Sequence, residues 1–357
     1  MGWNKRVRDC LERFVWPSAP TGPRSIRLWQ LGFSALVAVG GASPAWSTCT
    51  FGSSMDVGAA VHLHLAGKAD IDRTIGSAAS LGLKVLRWDA PWADVERSPG
   101  KLAVPENWDY AVDQARAKGI RLLLILDYGN KYYDGGKKPK SPTAVAAFAR
   151  YANFVATHFA GRVSFYETWN EWNSTTGGDR PGRAEDYIKL ARATYPAIKR
   201  GDPASCVIVG SFVDYLKPND GLQNLLDSAP ADYGDAIGLH PYVMNGSQLK
   251  NNPNGFKELL SHLVNSIKKS GWANKPVTIT EIGWHTDQDY RNGITEDQQT
   301  SYLSSALRTA ASLGIKMTIL YELVDEPQNK GPEGHFGLLR GDMSMKSSGQ
   351  MVKSRKW

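Results

Sequence analysis

The chain has 357 residues, 42% hydrophobic and 22% charged, enough to bury one large α/β domain or two ordinary ones. Its formal charge of +7 is uneven: six of the 42 basic and two of the 35 acidic residues fall within residues 1–47, leaving +3 for the rest. That near-balance removes any electrostatic case for nucleic acid as a partner of the body of the protein.

Arg24 and Arg27 precede the apolar run LWQLGFSALVAVGGA, too short for a comfortable membrane span, and the small residues SPAWS follow. Residues 1–47 are therefore expected to be a signal peptide cleaved after Ala45 or Ser47, or else an uncleaved membrane anchor. Either way the protein is expected to be exported, periplasmic or secreted, with a membrane as partner only if the leader is kept. Cys10 lies in the leader, leaving Cys49 and Cys206. An oxidising compartment permits a bridge, but two cysteines make no framework, and two free thiols are the expectation.

From Met55 onward, short apolar runs alternate with longer amphipathic ones. The predicted strands are residues 57–65, 83–90, 120–128, 162–170, 206–213, 235–243, 276–284 and 316–324. Between them lie helix-like stretches such as PENWDYAVDQARAKG, SPTAVAAFARYANFVATHF and TEDQQTSYLSSALRTAASLG, which open on Ser, Thr or Pro, several closing on Gly. The strands are β-branched and apolar on both faces, as a parallel sheet covered by helices requires. Eight such units predict that residues 50–357 form a single (β/α)8 TIM barrel of the α/β class. A doubly wound sheet would carry a glycine-rich phosphate turn after its first strand, and none is present.

A barrel places its reacting groups at the C-terminal ends of its strands. Here those ends read Arg87-Trp88-Asp89, Asp127-Tyr128, Trp169-Asn170-Glu171, His240-Pro241-Tyr242, Glu281 and Glu322. The 110 residues from Glu171 to Glu281 correspond to three strand–helix units, which sets strand four across the mouth from strand seven. Two carboxyls held about 5–5.5 Å apart suit double displacement at an anomeric carbon, one attacking while the other protonates the leaving oxygen. The acid is then expected to stay protonated near neutrality and the nucleophile to be ionised.

The segments ETWNE (167–171) and TEIGW (280–284) resemble the clan A retaining glycoside hydrolases, and most of all family 39 and its bacterial polysaccharide-hydrolase relatives. The resemblance covers residues 55–345, including HFGLLRGD (335–342). It implies Glu171 as acid/base, Glu281 as nucleophile, and Asn170 as partner of the sugar 2-hydroxyl. It further implies Arg87 beside Glu281, Tyr242 orienting Glu281, and His240 lining the same subsite. The substrate implied is a poly- or oligosaccharide, with no cofactor; the small strand-flanking loops and several aromatics suggest an open cleft and hence endo action. That family usually ends strand eight in Trp, whereas this chain has Tyr321-Glu322-Leu323, which puts the sugar floor in question. Glu167, four residues before Glu171, is expected deeper in the barrel on Arg87.

Of the tryptophans, Trp172 and Trp284 are the stacking candidates because they follow the two glutamates closely. Asp127 is placed among the sugar ligands, with helix capping as its other use, and one histidine of VHLHL, His64, is expected to contact sugar while the other packs. The loop GNKYYDGGKKPK (129–140) reads as a solvated mobile loop, or alternatively as a lid. Two other classes remain. A catalytically silent carbohydrate-binding barrel would need no pair of glutamates. A metal-dependent amidohydrolase could use His62, His64, His240 and Asp325, but it lacks a strand-five histidine and a strand-four lysine, so no metal is expected.

Overall fold

The computed structural model describes residues 49–357, apart from 177–178, 214, 216–220, 229–232, 244–248, 327 and 330. The leader and its expected cleavage points lie outside the described residues. Within them, eight parallel strands close into a barrel in sequence order. These are β1 (Asp56–Ala60), β2 (Val85–Pro91), β3 (Arg121–Asp127), β4 (Phe165–Thr168), β5 (Cys206–Phe212), β6 (Ala236–Leu239), β7 (Val277–Ile282) and β8 (Met317–Leu320). The helices are α1 (Lys68–Ser80), α2 (Trp92–Val95), α3 (Glu106–Ala117), α4 (Pro142–His158), α5 (Ala184–Gly201), α6 (Gly221–Ser228), α7 (Pro253–Lys268), α8 (Glu296–Ser312) and α9 (Ser347–Lys353). No described helix is long and apolar enough to cross a membrane.

The expected punctuation accounts for the helix ends. The Ser141 hydroxyl accepts from Ala144 N ahead of Pro142, and Asn252 caps α7 ahead of Pro253. Thr295 and Gln298 form a reciprocal capping box on α8. At the other end, Gly119 and Gly314 take the left-handed conformation (φ 68° and 81°) that stops α3 and α8.

Strand alternation sorts the side chains into two cores. Leu86, Leu122, Tyr166, Val207 and Ile237 face the helices, while Val85, Leu123, Phe165, Cys206, Met317 and Ile319 fill the barrel interior. Toward the C-terminal ends of the strands the same inward parity delivers Arg87, Glu167 and Thr280, and the bulge between Gly210 and Phe212 turns Ser211 in beside them, all buried. Gly238 on β6 makes room for that layer: a Cβ there would lie 2.4 Å from Ser211 Oγ and 3.0 Å from Thr280 Oγ1. The register thus builds an apolar floor with a polar layer above it.

Three expectations need correction. β1 stops at Ala60, five residues before the predicted end. The run His62–Leu65 mimics strand alternation, but its carbonyls are taken by α3: Asn107 Nδ2 reaches Leu63, His64 and Ala66, and Trp108 Nε1 donates to His64 O at 3.0 Å. Cys49 and Cys206 are not free thiols; they form a disulfide with Cα atoms 4.9 Å apart. The segment preceding β1 runs beneath the barrel floor, where Phe51 stacks on Phe165 at 5.6 Å and so carries Cys49 to the start of β5. Finally, the loop 129–140 is not simply solvated. Lys138 is 1% exposed, and its Nζ donates to the carbonyls of Ser174 and Arg180.

Candidate active site

At the C-terminal face the strand ends surround a cleft of about 670 Å³, in the range of a small-ligand site. Arg87 organises its base. Its Nε donates to Glu167 Oε2 (2.7 Å), Nη1 to Glu281 Oε2 (2.8 Å) and Nη2 to Asn170 Oδ1 (2.9 Å). Burial opposes the guanidinium charge, but Glu167 and Glu281 outweigh it and hold Arg87 firmly protonated. Because Arg87 occupies the Asn170 carbonyl oxygen, the amide N–H groups of Asn170 remain as donors on the cleft wall.

Glu281 receives a second hydrogen bond from Tyr242 Oη at 2.9 Å. Burial, then the charge of Glu281, pushes the Tyr242 phenol well up, so it remains a neutral donor. Glu171 sits opposite. His240 Nδ1 lies 3.0 Å from its Oε1, and Thr176 Oγ1 donates to its Oε2 at 2.8 Å. One oxygen of each carboxylate and a ring nitrogen of His240 all lie within 4.8 Å of one another. Burial tends to raise Glu171, yet the hydrogen bond and charge of His240, aided by Thr176, bring it below the ordinary glutamate value. That direction is opposite to the one expected of an acid, and the contact with His240 is one that strand-end position alone did not disclose.

Backbone strain collects at the same place. Trp169 and Glu171 both have positive φ (65° and 50°), as do Tyr128 (58°) and Ser211 (49°). Non-glycine residues in this region carry a conformational cost and cluster at functional sites. This double reversal after β4 has a direct effect on Trp172. The ring is fully buried, donates from Nε1 to Arg183 O at 2.9 Å and packs edge-on to Trp169, so it does not line the cleft. Trp284 does line it, but only at 3% exposure, with Nε1 on Asn251 Oδ1 and T-shaped contacts to Phe256 and Tyr302. The more accessible aromatic walls include Tyr128, Tyr321 and Phe336, Tyr321 standing just past the end of β8.

Asp127 and His64 also lie away from the opening. Asp127 faces inward but is wholly covered; burial, then the neighbouring charge of Asp89, pushes its carboxyl well up, and Asp89 is the one on the cleft. His62 rather than His64 lines the cleft, because β1 ends before either residue and the strand parity no longer applies. His62 Nε2 meets Glu322 Oε2 at 3.0 Å, a pair the sequence reading did not anticipate although Glu322 stood out as a strand end. Ser174, Thr176 and Glu333 were missed as well, since they sit in loops without a periodic signature. The four residues of the metal-hydrolase reading do not converge. Asp325 is bound by Lys346 Nζ and Gly337 N, and His240 by Glu171.

No family model matches the chain. By sequence, 187 residues (45% of this chain) are 25% identical to two acidic isoforms of glucan endo-1,3-beta-glucosidase from Nicotiana tabacum, PR-N and GI9. The match spans 67% of the first relative and about half, 54%, of the second. Among solved structures, a family 39 glycoside hydrolase from Bacteroides cellulosilyticus superposes with a TM-score of 0.67 and 23% identity, over 84% of this chain and 62% of that one. A beta-xylosidase from Caulobacter crescentus gives 0.65 and 18% (87% and 69% covered), and an endo-beta-1,4-mannanase from Thermotoga petrophila 0.62 and 18% (85% and 76%).

The neighbours of this chain are glycoside hydrolases. At such identities this chain shares with them its barrel fold, and chemistry has to be argued from the side chains described above.

Proposed function

We propose that the protein is a retaining β-glycosidase that hydrolyses a poly- or oligosaccharide by double displacement. Glu281 attacks the anomeric carbon. Glu171 protonates the departing oxygen and then takes a proton from the incoming water. The observation that carries this reading is the approach of the two carboxylates within 4.8 Å across one cleft. Retaining enzymes hold the pair about 5–5.5 Å apart, whereas inverting ones need about 6.5–9.5 Å to admit water. The two carboxylates differ in their partners. Arg87 and Tyr242 each donate a hydrogen bond to Glu281, whereas Glu171 takes its contacts from His240 and Thr176.

Asn170, with its donors fixed by Arg87, suits the sugar 2-hydroxyl, and the ring of Tyr321 suits the sugar face. Endo action fits relatives named as endo-acting glucanase and mannanase. Export fits the Cys49–Cys206 disulfide, which would be unusual in a reducing cytoplasm.

The test is a screen on aryl β-glycosides and polysaccharides with two variants. Glu281→Ala is expected to abolish turnover on every substrate, by about 10⁴-fold or more. Glu171→Ala is expected to cost least on glycosides whose leaving group needs no proton, and to lose its pH dependence there. Unchanged turnover in either variant on a polysaccharide, or inversion at the anomeric centre seen by NMR, rejects the mechanism.

A further inference from the structure

The loop after β4 does more than connect it to α5. Thr176 Oγ1 donates to Glu171 Oε2 at 2.8 Å, Ser174 Oγ donates to Thr176 Oγ1 at 2.7 Å, and Thr176 N donates back to Ser174 Oγ at 3.0 Å. A hydroxyl that both accepts and donates polarises the next bond in line, so the chain ends in a strengthened donor on one oxygen of the carboxylate. The loop bearing these hydroxyls is itself tied down from the neighbouring β3 loop. Buried Lys138 donates from Nζ to Ser174 O (3.2 Å) and Arg180 O (3.1 Å), and from its backbone N to Asp179 Oδ2 (2.8 Å).

We propose that Thr176, supported by Ser174 and the Lys138 clasp, is a positioning residue that sets both the orientation and the acidity of the acid/base Glu171. The inference rests on the assignment of Glu171 as acid/base. His240 meets Glu171 on Oε1, while Oε2 accepts from its own loop, from Thr176 Oγ1 at 2.8 Å and at greater length from Ser174 Oγ at 3.3 Å. The His240 contact is shared with the rest of the site, because that ring also approaches Arg87 and Glu281. The Thr176 contact belongs to Glu171 and its own loop, so it can alter the acid without disturbing the nucleophile. A hydroxyl donor stabilises the carboxylate over the carboxylic acid and therefore makes Glu171 give up its proton more readily.

The charged and titratable groups bearing on Glu171 are His240, Arg87, Glu281, Tyr242 and Glu333. None of them contacts Thr176 among the described hydrogen bonds, so a Thr176 substitution leaves that field in place. The hydroxyl can also turn to accept from a protonated Glu171, which keeps the side chain aimed through both halves of the cycle.

The test compares wild type, Thr176→Val, Thr176→Ser and Glu171→Ala by their kcat/KM–pH profiles on a cleavable oligosaccharide and on an aryl glycoside with an activated leaving group. The basic limb on the oligosaccharide reports loss of the acid's proton. Thr176→Val is expected to move that limb upward by about half to one pH unit, with an unchanged melting temperature, and Thr176→Ser to restore it. The activated glycoside should show no such shift. If Thr176→Val melts lower, Ser174→Ala removes the hydroxyl behind Thr176 together with its own longer bond to Glu171, keeps the Thr176 donor, and should shift the limb in the same direction by less. Coincident basic limbs in wild type and Thr176→Val, with both folded, overturn the proposal while leaving Glu171 in its role. A basic limb that persists in Glu171→Ala overturns the acid assignment and the proposal with it.

Discussion

Residues at this site differ in how much of their setting comes from strand position and how much from a neighbour far away in sequence. The locations of Glu171, Glu281, Arg87, Asn170, His240 and Tyr242 were legible because each sits at or just past a strand end. The directions of Glu281, Asn170 and Glu171, however, come from the register shift in β7 and the reversal after β4 rather than from alternation. Asp127 obeys the same rule, yet it lies under Asp89, and a pairing across strands cannot be read along one of them. His62 and Glu322 illustrate the point further, being 260 residues apart. Burial lowers His62, but the hydrogen bond and charge of Glu322 win and raise it from 6.5 to about 9. Burial raises Glu322 from 4.5 to about 7 against the pull of His62.

Both groups bind protons more tightly folded than unfolded, so the stability they contribute is lost as pH rises. The Glu322 share goes between 4.5 and about 7, and the His62 share between 6.5 and about 9. The melting temperature is expected to fall across a scan from about pH 5 to pH 9, and Glu322→Gln to flatten that slope. Parallel slopes for the two proteins would refute the pairing.

At the scale of elements, the helices carried the clearest signals, since caps are local chemistry. The Thr295 hydroxyl accepts from Gln298 N at 3.1 Å while Gln298 Oε1 accepts from Thr295 N at 2.9 Å, the pattern expected from TEDQ. Thr295→Ala should cost about 1 kcal/mol of stability in denaturant unfolding, and Thr295→Ser much less. The effect should reach the cleft only weakly. The following residue but three, Gln299, ties α8 to the carbonyls of Trp284 and Phe336, so kcat is expected to survive while KM drifts. Strand ends were harder to read. VHLHL has the alternation of a strand but loses its sheet partners after Ala60, and a tertiary bond from Asn107 replaces the ladder. The reversal at Trp169 and Glu171 likewise sent Trp172 into the helical layer, a turn that no residue type in the run announces.

For the whole molecule, closure into a barrel followed from the count and spacing of units, whereas the disulfide did not. Cys49 and Cys206 are 157 residues apart, and only the path of the segment before β1 brings them together. A bridge over so long a loop restricts the unfolded chain strongly, and its loss typically costs about 2–5 kcal/mol. Cys206→Ser, or reduction of the native protein, is therefore expected to lower the unfolding midpoint by that equivalent. Two thiols titrating in unreduced, denatured protein that lacks the leader would contradict the bridge.

The bridge also fixes a direction in space. Cys206 opens β5, and strand C-terminal ends form the opening of the cleft, so Cys49 is moored at the other end of the barrel. A purification tag or a linker to a solid support, fused in place of the first 48 residues, would therefore emerge roughly 20 Å from the opening, one strand's length away. Immobilised in that way, the protein should keep its cleft as open to solution as it is when free.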